Sequence, residues 1–224
     1  MRLIHGQPSP GLPNRRRNLL RPCKVGSHRF VQKHICPGAQ FTDMPKYTDW
    51  AHAGLDYCIA NGMLNGTSAT TIEPGSATTR AQLVTILWRQ NGCPTPTRTC
   101  SFTDLTQSWY KDAVAWAAET GIVTGRDAVT FDPTAPITRQ EMATMLYRYA
   151  TFAKLDTSAK GDLSVFPDEN QVLDYAVNAM TWANGAGLIT GNVVNDVTCL
   201  DPLGNANRAQ VATILMRFCE NVAK

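Results

Sequence analysis

Features that catalytic and membrane-spanning proteins need are scarce in this chain of 224 residues. No apolar run approaches the ~18 residues of a membrane-spanning helix. Of the four histidines, three (His5, His28 and His34) precede residue 41, and the seven cysteines form no Cys-x-x-Cys pair. There is no serine elbow, helix with metal-ligand spacing or isolated carboxylate pair, which argues against a hydrolase. We therefore expect a protein that is not an enzyme and has no metal or cofactor.

Acidic residues are missing from the first 40 positions, which hold eight Lys or Arg. The other 184 residues hold 13 Lys or Arg against 18 Asp or Glu, a net charge of −5. A mildly acidic body argues against a nucleic-acid surface. The composition therefore points to two regions, a basic front end and an acidic body.

The front end, residues 1–40, is rich in Pro, Gly and Arg without apolar periodicity, so we expect it to be largely disordered. It lacks the apolar core of a secretory signal, and a truncated start would explain that. Arg15 to Arg17 could instead form a basic patch for nucleic acid or anionic lipid. A string of possible zinc ligands also occurs there, although its final spacing fits no common zinc finger: Cys23, His28, His34 and Cys36.

The cysteines leave the compartment open. Cys93 and Cys100 flank a short polar segment and could close a small disulfide loop. Cys58 and Cys219 lie on apolar helix faces, where buried free thiols are the simpler interpretation.

A sequence pattern occurs three times in the acidic body. The segment Gly66 to Arg89 is repeated at Gly125 to Arg148 and, with three extra residues, at Gly191 to Arg217. In each copy a glycine, a polar run and an apolar-x-Pro step precede an apolar helix. Repeats of this length are typical of helix–loop–helix units that cannot bury their apolar faces alone. The pattern therefore predicts an array of three helix–loop–helix units.

Each unit has the same order of features. It opens with Phe-x-Asp, continues as an amphipathic helix, and ends that helix at a glycine suited to a left-handed cap. The apolar-x-Pro step follows, with its apolar residue predicted to fill the core, and then the second helix. These boundaries predict a tail and three repeats: 1–40, 41–95, 102–160 and 166–224.

The second helices begin with Thr-Arg or Asn-Arg. Thr79, Thr138 and Asn207, each followed by Gln or Glu three residues later, predict capping boxes worth about 1 kcal/mol each. Capping does not explain the arginine, because a cation is slightly unfavourable at the positive end of a helix dipole. Either each arginine pairs with a structural acid, such as the Phe-x-Asp carboxylate, or it awaits an anionic ligand beside free helix amides.

Taken together, the features of each unit resemble those of the S-layer homology (SLH) family. These features are Phe-x-Asp, a helix entered at Trp50 or Trp109, the G-x-x-x-G step, the apolar-x-Pro loop and the Thr-Arg-Ala-Gln helix start. The resemblance covers three copies over residues 41–224. It implies an all-α fold, with three helix–loop–helix repeats in a pseudo-threefold prism around a central helical bundle. It also implies non-covalent anchoring of exported proteins to Gram-positive cell walls.

In that family, grooves between neighbouring repeats bind secondary cell-wall polysaccharide, often pyruvylated. The resemblance places three arginines against a pyruvate carboxylate, and three aspartates as sugar-hydroxyl acceptors or as partners that order the arginines. Two tryptophans would either form the floor of a groove or lie in the core. The implied ligand-binding residues are Arg80, Arg139, Arg208, Asp43, Asp104, Asp168, Trp50 and Trp109.

Some positions depart from the family pattern. The motif's Glu is Gln82 in the first repeat and Gln210 in the third, and Tyr175 replaces the tryptophan of the third repeat. We therefore expect the third groove to be the weakest.

The implied partner is an anionic secondary cell-wall polymer, bound by a monomeric pseudo-trimer at the cell surface without membrane insertion or nucleic acid. The alternative is a structural spacer or assembly module, in which internal ion pairs occupy all three arginines.

Overall fold

The computed structural model describes residues 36–223, and most of its regular structure is helical. As the repeats predict, the six α-helices come in pairs, one pair in each repeat. They are α1 (Trp50–Ala60), α2 (Arg80–Gln90), α3 (Ser108–Glu119), α4 (Arg139–Phe152), α5 (Val177–Gly185) and α6 (Arg208–Asn221).

Short 3-10 turns lie before α1 and between α4 and α5. The one before α1, Pro37–Gln40, falls in the last part of the predicted tail. Residues 1–35 lie outside the described part of the chain, and the predictions made for them fall there too. These are the disordered tail, the Arg15 to Arg17 patch and three of the four possible zinc ligands.

The insertion in the third repeat forms a β-hairpin. Strands β1 (Asn192–Val194) and β2 (Val197–Cys199) pair antiparallel. Both residues of the connecting turn, Asn195 and Asp196, have positive φ angles (50° and 63°), as a type I′ hairpin turn requires. Within residues 36–223 this hairpin is the one pair of named strands, and it departs from the all-α prediction.

The predicted apolar residues form one core. Ile72, Phe131 and Leu200, which precede the proline loops by two positions, are completely buried. The glycines predicted to end the first helices, Gly62, Gly121 and Gly187, all have positive φ, so the chain reverses there without a Cβ clash. Cys58 and Cys219 are buried free thiols, as predicted, while Cys93 and Cys100 are free thiols rather than a disulfide.

Helices of different repeats pack against one another. α2 packs on α3, α4 packs on α5, and α6 packs on α1. Each repeat therefore buries the apolar face of its second helix against the first helix of the next repeat. The contact between α6 and α1 brings the last helix back against the first one.

Main-chain hydrogen bonds follow the same cyclic order. The amide of Thr78 donates to the carbonyl of Ala206 (3.0 Å), the amide of Ala206 donates to that of Ile137 (2.9 Å), and the amide of Ile137 donates to that of Thr78 (2.9 Å). These three residues lie just before α2, α6 and α4. The three loops that precede the second helices are thus joined by a closed ring of main-chain hydrogen bonds.

The contact between α1 and α6 depends on a glycine. A Cβ at Gly54 would lie 2.7 Å from the main-chain nitrogen and Cα of Thr213, closer than packed atoms approach. The interior of a helix normally disfavours glycine relative to alanine by about 0.5–1 kcal/mol. Gly54 therefore allows the close approach of the first and last helices at a cost in helix propensity.

We expect Gly54→Ala to lower the free energy of unfolding by about 1–3 kcal/mol, because the added methyl group would overpack this contact. Gly75→Ala is the matched control, since nothing lies within 4 Å of a Cβ there. Both variants are compared by urea unfolding. If Gly54→Ala proved as stable as the control or more so, the close approach would not be what holds α1 to α6.

No helix among residues 36–223 is long and apolar enough to span a membrane.

Candidate functional site

The three second helices begin as the sequence predicts, with a capping box at each start. In α2 the hydroxyl of Thr79 accepts from the amide of Gln82 (3.3 Å), and the side-chain oxygen of Gln82 accepts from the amide of Thr79 (2.8 Å). Thr138 with Glu141 and Asn207 with Gln210 repeat this exchange. The polar residues at these positions therefore stabilise helix ends.

The next helix amides are not free. Those of Arg80 and Ala81 each donate over 3.0 Å to main-chain carbonyls of the second repeat, at Ala135 and Pro133. The equivalent amides of α4 and α6 donate in the same way to the third and first repeats. The expectation of free helix amides beside the arginines is therefore wrong, because the neighbouring repeat occupies them.

The arginine side chains also cross to the neighbouring repeat. Nε of Arg80 donates to the carbonyl of Phe131 (3.0 Å), and Nε of Arg139 donates to that of Leu200 (2.8 Å). Nε of Arg208 donates to the carbonyl of Ile72 (2.7 Å), returning to the first repeat. All three arginines are at least 93% buried, with exposed fractions of 3–7%. Each one joins two repeats.

The three aspartates hold the same main-chain segments from the other side. Asp43 accepts from the amides of Ile72 (2.8 Å) and Glu73 (2.7 Å). Asp104 and Asp168 make the corresponding contacts with the segments at Phe131 and Leu200. Each apolar-x-Pro segment is thus held by the aspartate of its own repeat and the arginine of the preceding one.

Two grooves lie at boundaries between repeats. The Arg139 groove, about 350 Å³, is lined by Arg139, Trp50, the segment 188–193, and Gln210 and Arg217 of α6, among others. The Arg80 groove, about 280 Å³, is lined by the equivalent positions: Arg80, Tyr175, the segment 122–126, Glu141 and Arg148.

Of the residues predicted to bind ligand, Arg80, Arg139 and Trp50 line these two grooves. The three aspartates, Arg208 and Trp109 do not line either of them. The aromatic residues at the first-helix starts are exposed rather than in the core, at 61% for Trp50, 46% for Trp109 and 51% for Tyr175.

Sequence reasoning did not single out the arginines at the rims. Arg148 and Arg217 each follow a buried arginine by nine residues, and Arg89 occupies the same place in the first repeat. Arg217 donates to the carbonyl of Leu188 (3.2 Å) and the hydroxyl of Thr190 (3.3 Å). Their recurrence in all three repeats is the signal that could have found them.

The linings of the two grooves carry the same formal charge, since Arg80, Arg126 and Arg148 against Glu141 give +2 and Arg139 with Arg217 also gives +2. They differ in whether the buried arginine is paired with a carboxylate. In the Arg80 groove the carboxylate of Glu141 lies 3.2 Å from Nη1 of Arg80 and also pairs with Arg126. The same position in the Arg139 groove is Gln210, whose side-chain oxygen caps Asn207. Among residues 36–223, no carboxylate oxygen lies within 4 Å of the guanidinium nitrogens of Arg139 or Arg217.

Burial lowers the pKa of Arg139, while the carboxylates of Asp201 and Asp168 act in the opposite direction. An arginine stays protonated in proteins at neutral pH. The Arg139 groove is therefore lined by two arginines that form no salt bridge with any residue between 36 and 223. Such a site favours an anion, above all a carboxylate that can accept two parallel hydrogen bonds.

Comparison with known proteins identifies the family of the first two repeats. The model of the S-layer homology domain matches residues 40–84 and 101–143. The chain carries S-layer homology domains. This domain is a cell-wall anchoring module of S-layer proteins and surface enzymes. Residues 166–223 lie outside both matched segments, although Asp168 and Arg208 make the same contacts as their counterparts.

Curated relatives that share the S-layer homology region include both surface-layer proteins and enzymes. The chain is 30% identical to an endoglucanase of Bacillus sp. (strain KSM-635), over 82% of this chain and 19% of the relative. It is 28% identical to the surface-layer 125 kDa protein of Lysinibacillus sphaericus (84% and 16%). It is 29% identical to an S-layer protein of Bacillus thuringiensis subsp. finitimus (84% and 22%). The chain thus spans about a fifth of the length of these relatives.

The aspartate contacts of the S-layer homology repeats lead to a pH prediction. Burial alone would raise the pKa of Asp43, but hydrogen bonds from Ile72 and Glu73 and the charge of Arg208 lower it below the ordinary value. Because the folded-state pKa is depressed, the ionised carboxylate stabilises the fold above the unfolded-state pKa of about 3.9. This contribution is lost as the pH falls through the folded-state pKa.

We expect Asp43→Asn to lower the free energy of unfolding by about 1.5–3 kcal/mol at neutral pH, because hydrogen bonds to a charged group are lost. The difference from the wild type should narrow as the pH falls below about 4. Urea unfolding at a series of pH values measures both effects, with Asp112→Asn on the exposed face of α3 as the control. A difference that stayed constant with pH would contradict the role of the charge.

Proposed function

We propose that this chain anchors the protein that carries it to a cell wall by binding an anionic polysaccharide in the Arg139 groove. The observation that supports this most strongly is that, among residues 36–223, neither arginine of that groove has a carboxylate oxygen within 4 Å. Arg139 and Arg217 line it together, and Gln210 stands where the other groove has a carboxylate. The proposed location is the cell surface.

The ligand feature best matched to this pair is a carboxylate on a sugar, such as a ketal-linked pyruvate. The buried Arg139 lies in the groove lining with its Nε fixed by Leu200. Arg217, which lines the same groove, is held by the carbonyl of Leu188 and the hydroxyl of Thr190. Guanidinium groups whose positions are already fixed lose little conformational freedom when they bind. A charge-assisted contact of this kind is stronger than a neutral hydrogen bond.

Trp50 supplies an apolar surface for the same ligand. It lies at the first position of α1, lines the Arg139 groove and is 61% exposed. An exposed indole beside a polar groove offers a large flat contact area that loses little side-chain entropy on binding. We propose that it stacks against the apolar face of a sugar ring.

In the Arg80 groove, Glu141 already accepts from Arg80 and Arg126, so an added anion would compete with an internal salt bridge. We propose that this groove binds the anionic substituent more weakly. The groove expected from the sequence to be the weakest was the third, and Arg208, the arginine of the third repeat, lines neither of these two grooves.

The alternative function, a structural spacer, is supported by a different observation. Nε of every buried arginine donates to a main-chain carbonyl, so all three arginines contribute to the fold whether or not a ligand binds. Under this alternative the grooves would be unoccupied packing defects between repeats.

We also propose that residues 41–95, 102–160 and 166–224 are three S-layer homology repeats in a pseudo-threefold prism. The cyclic hydrogen bonds before α2, α4 and α6 support this arrangement, as does the return of α6 onto α1. It would make the monomer a pseudo-trimer.

Cosedimentation with purified Gram-positive cell-wall sacculi tests the anchoring function. We expect the protein to pellet with sacculi, and the bound fraction to fall when the wall polymer is chemically depyruvylated. Binding should also weaken with added salt, because the screening length falls from about 10 Å at 0.1 M to about 3 Å at 1 M. Failure to pellet under all conditions would favour the spacer.

A reciprocal pair of substitutions tests which groove binds. We expect Gln210→Glu to reduce binding about tenfold or more, because a carboxylate would pair with the arginines at a cost of at least about 1.4 kcal/mol of binding free energy. Glu141→Gln should leave binding unchanged or increase it. Both side chains can still accept the capping hydrogen bond, so unfolding measurements should show folded variants.

The opposite pattern, in which Glu141→Gln weakens binding and Gln210→Glu does not, would assign the ligand to the Arg80 groove. Unchanged binding in both variants would remove the anionic contact from the proposal while leaving the anchoring function intact.

A further inference from the structure

A cluster of possible metal ligands lies outside both grooves, where the chain enters the first repeat. Sγ of Cys36 lies 3.6 Å from Nε2 of His52 and 3.0 Å from Oδ1 of Asp56. One ligand atom from each residue lies within 4.8 Å of the other two. We propose that these three side chains bind a divalent transition-metal ion of the zinc type, which fastens the segment before the first repeat to α1.

The orientation of His52 supports metal binding. Its Nδ1 lies 2.8 Å from the carbonyl oxygen of Pro45, which can only accept a hydrogen bond, so Nδ1 carries the proton. The lone pair of Nε2 therefore faces Cys36. Metal-ligating histidines are typically held in this way, with the second ring nitrogen donating to a carbonyl or carboxylate.

The distances suit a tetrahedral ion. With Zn–S of about 2.3 Å and Zn–N of about 2.0–2.1 Å at tetrahedral angles, sulfur and nitrogen lie about 3.6 Å apart. The separation of Sγ and Nε2 is 3.6 Å. Oδ1 of Asp56 lies 3.0 Å from the sulfur. With Zn–O of about 2.0–2.2 Å the ideal separation is also about 3.6 Å, so this oxygen would move outward by about 0.6 Å. It is oriented by the amide of Gly38, which donates to it over 2.9 Å.

Hydrogen bonding alone satisfies this cluster incompletely. A Cys36 thiol has one proton, while both the Nε2 lone pair of His52 and the carboxylate of Asp56 face the sulfur. A divalent cation in place of that proton would bind all three donor atoms at once. Sulfur, imidazole and carboxylate together favour zinc over the oxygen-binding ions Mg²⁺ and Ca²⁺. The fourth position of the tetrahedron is left for water.

Sequence reasoning assigned no metal and grouped Cys36 with upstream residues. The useful signal was the spacing of His52 and Asp56, which are four residues apart and so share one face of α1. Their connection to Cys36 depends on the turn Pro37–Gln40, which packs on α1.

The test is titration of the full-length reduced protein with Co²⁺, followed by competition with Zn²⁺. We expect one Co²⁺ per chain, with visible bands of tetrahedral cobalt and a near-ultraviolet band of thiolate-to-cobalt charge transfer. Cys36→Ser should abolish the charge-transfer band. His52→Ala and Asp56→Asn should each weaken binding at least about tenfold. Zn²⁺ should raise the melting temperature of the wild type but not of these variants.

Two control variants identify the ligands. Cys100→Ser should behave as the wild type, because that thiol lies outside the cluster. A chain with Cys23→Ser, His28→Ala and His34→Ala should keep the full charge-transfer band. Circular dichroism of each variant without metal establishes that it is folded.

A folded Cys36→Ser variant that kept the charge-transfer band would overturn the proposal, as would loss of the band in the triple variant, which would assign the metal to the upstream residues. Absence of any thiolate band in the wild type would leave Cys36, His52 and Asp56 as a hydrogen-bonded contact only.

Discussion

The structure depends on a short main-chain segment that two different repeats hold from opposite sides. In each copy an aspartate of the same repeat accepts from the amides of the segment, and an arginine of the preceding repeat donates to its carbonyl. The apolar side chain between these contacts, Ile72 in the first copy, is completely buried. Buried amides and carbonyls are costly without partners, so neither repeat can satisfy this segment alone.

This constraint explains why the arginines stand where the helix dipole slightly disfavours them. A side chain at the first position of α2, α4 or α6 is the one that can reach across to the next segment, and its amide also donates there. The few tenths of a kcal/mol lost to the dipole are small beside a charged hydrogen bond worth about 1.5–3 kcal/mol. Among residues 36–223, the structural acid considered as a partner for each arginine is present only at Arg80, which pairs with Glu141 rather than with a Phe-x-Asp carboxylate. In all three arginines Nε serves the fold through a main-chain carbonyl, and two of the side chains also line a groove.

The same geometry places the grooves between repeats and lets a single residue decide whether the buried arginine of each groove is paired with a carboxylate. The third residue of α4 is Glu141 and that of α6 is Gln210, and both cap their helices. Only the glutamate has a spare carboxylate oxygen to pair with the arginine of its groove. A change that is nearly neutral for helix stability thus separates a groove whose buried arginine is paired with a carboxylate from one whose buried arginine is not.

The sequence alone was sufficient for the features that depend on neighbours along the chain. The capping boxes at Thr79, Thr138 and Asn207, the left-handed glycines and the apolar helix faces were all predictable, because hydrogen bonds and periodicity over a few residues determine them. The hairpin was not, although Asn195 and Asp196 suit its turn. The repeated pattern also identified the arginines and aspartates as candidate functional residues.

Tertiary structure decided which partners those residues meet. Three contacts connect positions that are far apart in sequence or separated by a turn. Arg208 donates to Ile72, the next repeat occupies the helix amides, and Cys36 meets His52 and Asp56. The exposure of Trp50 likewise follows from where α1 docks on α6. Such contacts depend on how the helices pack across repeats, and local sequence preference carries little information about that.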